Sequence, residues 1–330
     1  MSIANLEERL DRFRGRFEKM RREIGKAFVG QESVVEGVLT ALAAGGHVLL
    51  EGLPGTGKTT LARALANVVD VSFQRIQCTP DLMTADIIGT YVIMETPQGR
   101  RTFEFQRGPL FANIVLADHV SRAMPKTQSA LLEAMDDARV TVSTESFELP
   151  RPHFVIATQN PLEAEGTFPL PDAQLDRFLF KLTIKRADAS DLEQILDRTT
   201  EAATVTIQPV LTGAEVLEMG ACIRQVPIAA DLRRQAIGLV LATDPGQAGA
   251  PDAVRQYVRH GAGPRGAQAV ILAAKAKAIL AGRGEAAAAD IRQALPMALR
   301  HRISLNYEGL AEGIAPDALL DRIVAKWPAR

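Results

Sequence analysis

Gly52, Leu53, Pro54, Gly55, Thr56, Gly57, Lys58 and Thr59 set a glycine, four residues, then glycine, lysine and a hydroxyl side chain. No other feature constrains this chain as tightly, because the spacing carries meaning only with a strand before it and a helix after it. Both are legible. His47 to Leu50 reads as a short buried strand, and Thr60 onward, LARALANVV, reads as a helix. Glycines let the backbone curl so that its N–H groups point at phosphate oxygens, and the helix N-terminus adds partial positive charge. In such a loop Lys58 reaches the β- and γ-phosphates and the Thr59 hydroxyl sits on Mg²⁺. Leu53, Pro54, Gly55, Thr56, Gly57 and Thr60 complete the predicted cradle for ATP or ADP.

At 330 residues the chain has room for one large domain or two ordinary ones. A 47% hydrophobic share supplies packed cores, and 23% charged residues suit a soluble protein. No apolar run approaches the ~20 residues that span a bilayer, so no integral membrane segment is expected. The N-terminus, MSIANLEERLDRFRGRF, is charged too early for a signal peptide. Two distant cysteines, Cys78 and Cys222, make neither a disulfide framework nor a zinc spacing, and a reducing, cytoplasmic setting is expected. A net charge of −1 leaves no electrostatic footprint for nucleic acid.

Leu6, Leu10, Phe13, Phe17, Met20 and Ile24 recur at steps of four and three, one apolar stripe on an N-terminal helix over 1–25. Its basic residues read as a solvated face, with a membrane- or partner-binding helix as the other reading. A second helix is expected over Glu32–Ala44. Just before it, Val29 and Gly30 are candidates to pack over the adenine. A strand at 72–79, a loop and short helix at 80–89, and a hairpin (Tyr91–Glu95, the turn Thr96–Gly99, Thr102–Gln106) follow. Asn113 to Ala117 is a buried-strand pattern ending at Asp118, the position of a Mg²⁺-holding carboxylate downstream of a P-loop. A second hairpin is expected at 140–149, a buried strand at 153–158 delivering Gln159 and Asn160, and a last strand at 178–185. In doubly wound folds ligands sit at strand C-termini, where Asp118 and Asn160 fall. From about Ala187 the pattern turns to alanine-, leucine- and arginine-rich helices. This divides the chain into a nucleotide-binding core (26–186), a linker (187–209) and a helical unit (210–330).

The stretches FVGQ, LLEGLPGTGKT, QCTPDLMTADIIG, FEFQRGPLFANIVLAD, PKTQSALLEAM, FVIATQNPLEAEGTFPLPDAQLDRF, GAGPRGA and LRHRI together resemble the MoxR family of AAA+ ATPases, from about Ile24 to about Leu305. The resemblance implies an α/β fold: an AAA+ P-loop αβα sandwich with a parallel sheet and inserted β-hairpins, followed by an all-α lid domain. It implies that Asn160 is the sensor-1 residue polarising the attacking water. Arg177 becomes the arginine finger acting on a neighbour's nucleotide, and Arg265 the sensor 2 that folds the lid onto the γ-phosphate. An arginine delivered in trans contributes a factor of around 10³–10⁵ in phosphoryl transfer. A ring, usually a hexamer, follows from that arrangement, together with a chaperone-like role toward partner proteins, often ones carrying a von Willebrand A domain.

One position departs from the family. Its pattern Asp-Glu-Ile-Asn-Arg is here Asp118, His119, Val120, Ser121, Arg122. The missing glutamate orients and deprotonates the attacking water, and losing a positioned general base costs about 10²–10⁴ in rate. Three readings stay open: a neutral His119 imidazole as base, another carboxylate such as Glu133 or Glu163, or slow hydrolysis with ATP as a conformational ligand. The third is favoured, and a nucleotide-gated assembly module with little turnover is the alternative to a remodelling engine. Tyr91, Phe103 and Phe105 read as packing within the hairpin, with client contact as the second reading. A small-molecule kinase has no use for Asn160, Arg177 and Arg265.

Overall fold

The computed structural model describes residues 3–95, 101–163, 166–200 and 206–327. In chain order the elements are α1 (Ile3–Ala27), α2 (Glu32–Ala44), β1 (Val48–Gly52), α3 (Lys58–Val69), β2 (Phe73–Gln77), α4 (Thr84–Ile88), β3 (Gly89–Glu95) and β4 (Arg101–Arg107). Then come β5 (Ile114–Asp118), α5 (Pro125–Asp137), β6 (Arg139–Val142), β7 (Glu145–Glu148), β8 (Phe154–Gln159), α6 (Asp172–Leu175), β9 (Phe180–Ile184) and α7 (Ala189–Thr200). The C-terminal part holds α8 (Gly213–Gln225), α9 (Ala230–Leu241), α10 (Asp252–Tyr257), β10 (Val258–His260), α11 (Pro264–Leu280), α12 (Ala288–Leu299), β11 (Ser304–Leu305), α13 (Tyr307–Ala311) and α14 (Pro316–Ala325).

Five strands form a parallel sheet in the order β2-β5-β8-β1-β9. A parallel strand covered on both faces must be apolar on both, and β1, β5 and β8 are. Alternate residues divide between two cores. Val48, Leu50, Ile114, Leu116 and Ile156 join α1, α2, α3 and the C-terminal helices. Leu49, Val115, Ala117, Val155 and Ala157 join α4 and α5 on the other face. Because every strand runs the same way, the P-loop, Asp118 and Asn160 emerge together at one end of the sheet.

The stripe on α1 is core: Leu10, Phe13, Phe17, Met20 and Ile24 are all buried. Its basic face is partly pinned, since Arg16 pairs with Glu215 and Glu218 of α8 at 2.6 and 3.0 Å. The hairpin β3–β4 forms in the expected register, Tyr91 opposite Phe105 and Ile93 opposite Phe103. Its turn, Thr96–Gly99, lies outside the described residues. Two details add to the expected architecture. The stretch 187–209 carries α7, whose amphipathic sequence ASDLEQILDRTT forms a helix with no buried residue. The helical unit also carries one short antiparallel bridge, in which Val258 and His260 pair with Leu305 and Ser304. No described helix is long and apolar enough to cross a membrane.

Candidate nucleotide site

Gly55 and Gly57 take φ of +79° and +81°, left-handed values that L side chains rarely adopt. At Gly57 a Cβ would also press on the Phe28 ring at 3.1 Å, so the loop requires glycine twice over. Beside the loop lies a cavity of about 720 Å³, lined by Val29, Leu53, Pro54, Gly55, Thr56, Gly57 and Thr60 from the predicted set. Leu192, Ile195 and Thr199 of α7 close its far wall, a contribution that the linker reading missed. Gln31 braces the mouth, its side-chain amide accepting from Lys185 N at 3.1 Å. Gly30 departs from expectation. It does not line the cavity; it turns at φ +67° where a Cβ would sit on the Asp191 carboxylate.

Lys58 is buried, and its Nζ donates to the carbonyls of Gly52 and Leu53 at 2.8 and 2.7 Å. Burial lowers its pKa, while Asp118 and Glu163 pull the other way. An ammonium resting on two neutral carbonyls, with a helix N-terminus and glycine N–H groups beside it, fits a polyphosphate, whose oxyanions add the ion pairing that a neutral carbonyl lacks.

Asp118 is buried at the end of β5. Its Oδ1 accepts from Thr158 Oγ1 at 2.7 Å and its Oδ2 from Arg75 Nη2 at 2.6 Å. Burial works to raise its pKa, but these two donors and the nearby His119 outweigh it and hold the carboxyl below its usual range. Thr158 lies one step beyond the Ala117–Ala157 pair, so strand register alone brings it to Asp118. Asp118 and Thr59 remain the residues that would hold Mg²⁺. Mg²⁺ takes one or two carboxylates and keeps several waters, so a single strand-end carboxylate suffices.

His119 stands next, with φ 58° and ψ 52°, its N–H donating to Thr158 Oγ1 at 2.8 Å. Its Nδ1 lies 3.3 Å from Glu163 Oε2, and its Nε2 lies 3.9 Å from Asp118 Oδ1. Glu163 is tied further by Arg122, whose Nε and Nη2 reach its two oxygens at 3.1 Å. Burial works to raise the Glu163 pKa, yet bonds from Asn160, Arg122 and His119 prevail and hold it below the usual carboxylate range. Asn160 is buried and accepts from Leu162 N at 3.1 Å. Glu133, the other carboxylate considered, is exposed on α5.

Arg177 and Arg265 lie elsewhere. Arg177 Nη1 donates to Leu132 O at 2.7 Å and lies 3.3 Å from Asp136 Oδ2. Arg265, at the start of α11, places Nη2 3.3 Å from Asp136 Oδ1. His47 precedes β1 and contacts Met135 O at 2.9 Å, while Leu179 N donates to His47 O. Asp136 and both arginines therefore sit at the N-terminal end of the strands. The five residues of β1, ~16 Å of strand, separate them from the P-loop. Arg265, read as sensor 2, thus stands at the other end of the sheet from the P-loop of its own chain. Arg302 of the LRHRI stretch anchors this end: almost fully buried, it bonds Asp176 Oδ1 at 2.6 Å and the carbonyls of Asp176, Phe178 and Leu179 at 2.8, 2.7 and 3.2 Å.

Residues 47–180 match the model of the ATPase family associated with various cellular activities (AAA), and residues 251–323 match the AAA lid domain. Fold and site thus define an AAA-type ATPase with a helical lid. Chaperone MoxR1 of Mycobacterium tuberculosis is 40% identical over 309 residues, covering 92% of this chain and 79% of that protein. Protein MoxR of Methylorubrum extorquens is 31% identical over 319 residues, covering 91% and 92%. A crystal structure from Cytophaga hutchinsonii superposes with a TM-score of 0.91 at 37% identity, covering 100% of this chain and 99% of that one. The chain belongs to the MoxR family of AAA+ ATPases.

Proposed function

We propose that this chain binds Mg-ATP at the subunit interfaces of a ring, a hexamer by family resemblance, and remodels partner proteins with slow hydrolysis. The observation that carries the reading is the pairing of a complete phosphate cradle with Asp118 followed by His119. Bound Mg-ATP would supply the phosphoryl group and the charge that Lys58, Thr59 and Asp118 meet. Asn160 would orient water at the strand end. His119 and Glu163 face each other, and Arg122 occupies Glu163, so among the described residues no unengaged carboxylate stands where the family glutamate would. The position of Arg177 and Arg265 at the opposite end of the sheet favours action on a neighbour's nucleotide for both.

Further parts of the proposal are a cytoplasmic setting, a client or von Willebrand A domain protein as partner, and no nucleic-acid ligand. Steady-state ATP hydrolysis by the chain and by its His119→Glu variant tests the central claim. The glutamate should raise turnover by about 10²–10⁴ with little change in Mg-ATP affinity. Equal turnover would overturn slow hydrolysis and return the base role to His119 or Glu163.

A further inference from the structure

Asp136, in the last turn of α5, carries a partly exposed carboxylate that meets two guanidinium groups from two parts of the molecule. Arg177 belongs to the segment between α6 and β9 and touches Oδ2; Arg265 opens α11 of the helical unit and touches Oδ1. The two differ in how else they are held. Arg177 is fixed independently by Leu132 O at 2.7 Å, and its flanking backbone is clamped by Arg302. Arg265 has Asp136 as its described tie: Nη2 lies 3.3 Å from Oδ1 and 3.4 Å from Oδ2, with the side chain 46% exposed. A long, exposed arginine loses considerable rotamer entropy when ordered, so a fixed carboxylate beside it does more for its placement than for stability.

We infer that Asp136 is a positioning residue: a bridging carboxylate that seats Arg265 next to Arg177, so that an incoming anion meets two guanidinium groups as one preset pair. One carboxylate between two arginines leaves a net charge of +1 and free N–H donors on both forks. Those donors suit the oxygens of a phosphate. The inference rests on the reading that both arginines serve the nucleotide of a neighbouring subunit. Orientation set before the phosphate arrives saves the cost of ordering two side chains at the moment of use.

Mixed assemblies test it. Donor subunits carry Lys58→Ala, which removes nucleotide binding and leaves the arginines. Acceptor subunits carry Arg177→Ala with Arg265→Ala, which leaves the nucleotide site. Single-turnover hydrolysis of bound ATP by the mixture should exceed that of either alone. If it does not, the trans reading fails and the positioning role falls with it. If it does, Asp136→Asn placed in donors should lower the rate about three- to tenfold, the scale of one or two exposed ion pairs. The same change in acceptors should leave the rate where it was, and Asp136→Glu in donors should restore much of it. Combined with Arg265→Ala in donors, Asp136→Asn should add nothing further, since both act through one guanidinium. A donor Asp136→Asn without effect, or an equal loss from either subunit, overturns the positioning role while the trans reading stands. A loss from either side marks a structural carboxylate only.

Discussion

At the residue scale His47 shows how a buried titratable group reports on the fold. Val155 N–H donates to its Nδ1 at 2.9 Å, so its Nε2 carries the proton toward Met135 O. That arrangement fits a neutral ring alone, because a second ring proton would point at the Val155 donor. Burial, with His153 nearby, lowers its pKa from 6.5 to about 4. The unfolded chain takes up this proton first, so the stability contributed by a neutral His47 is complete above pH 6.5 and is lost as pH falls toward 4. At about 1.4 kcal/mol per pKa unit the loss approaches roughly 3 kcal/mol. His153 and His301, also lowered chiefly by burial, act in the same direction. Urea midpoints measured from pH 7 to 4 should fall across this window and fall less in His47→Gln; a flat profile would refute the linkage. Sequence alone marked Gly52–Thr59, Asp118 and Asn160, because a motif and strand ends identify them. Arg75, Thr158 and Asp136 were not legible, since each acts through a register or a helix end that pairs residues 40 or more positions apart.

Among the elements, α7 and the β3–β4 hairpin illustrate two limits of pattern reading. Leu192, Ile195, Leu196 and Thr199 follow helical spacing, yet α7 buries nothing fully, and a composition shift at 187 suggested a linker. Its face toward the cavity explains the amphipathic pattern that a linker would not need. In the hairpin the aromatic residues split. Tyr91 and Phe105 pack toward the second hairpin, with Phe105 stacked on Phe147 at a 4.3 Å centroid distance. Phe103 and its partner Ile93 point the same way but farther out, and are 75% and 59% exposed. Periodicity alone assigns all four residues to one face, and only distance from the hairpin base separates packing from exposure. Phe105→Ala should therefore cost about 1–3 kcal/mol of stability, against less than about 0.5 kcal/mol for Phe103→Ser. Thermal unfolding of the two variants checks this, and equal losses would show that the outer pair is packed as well.

Across the whole molecule, α1 decides whether core and helical unit behave as one body. The sequence set it apart as residues 1–25, with a possible partner-binding face. Its apolar stripe instead lies in the same cluster as α3 of the core and α8 and α11 of the helical unit. Phe13 and Phe17 stack at 6.0 Å and are both 1% exposed. The charged face is engaged as well, through Arg16 to α8. Removing Phe17 would open a cavity beside both units at once, at a cost of about 3–5 kcal/mol. Because the Arg302 clamp and the α1 stripe join the same two bodies, that loss should shift a single cooperative transition to lower denaturant without splitting it. Urea unfolding of Phe17→Ala, followed by far-ultraviolet circular dichroism and by the fluorescence of Trp327, measures both points. Trp327 packs on Gly238 within the helical unit, so its signal reports that unit. Coincident curves with a lowered midpoint are expected. If α1 were an appendage, the variant would lose less than about 1 kcal/mol, and a chain lacking residues 1–25 would still bind Mg-ATP.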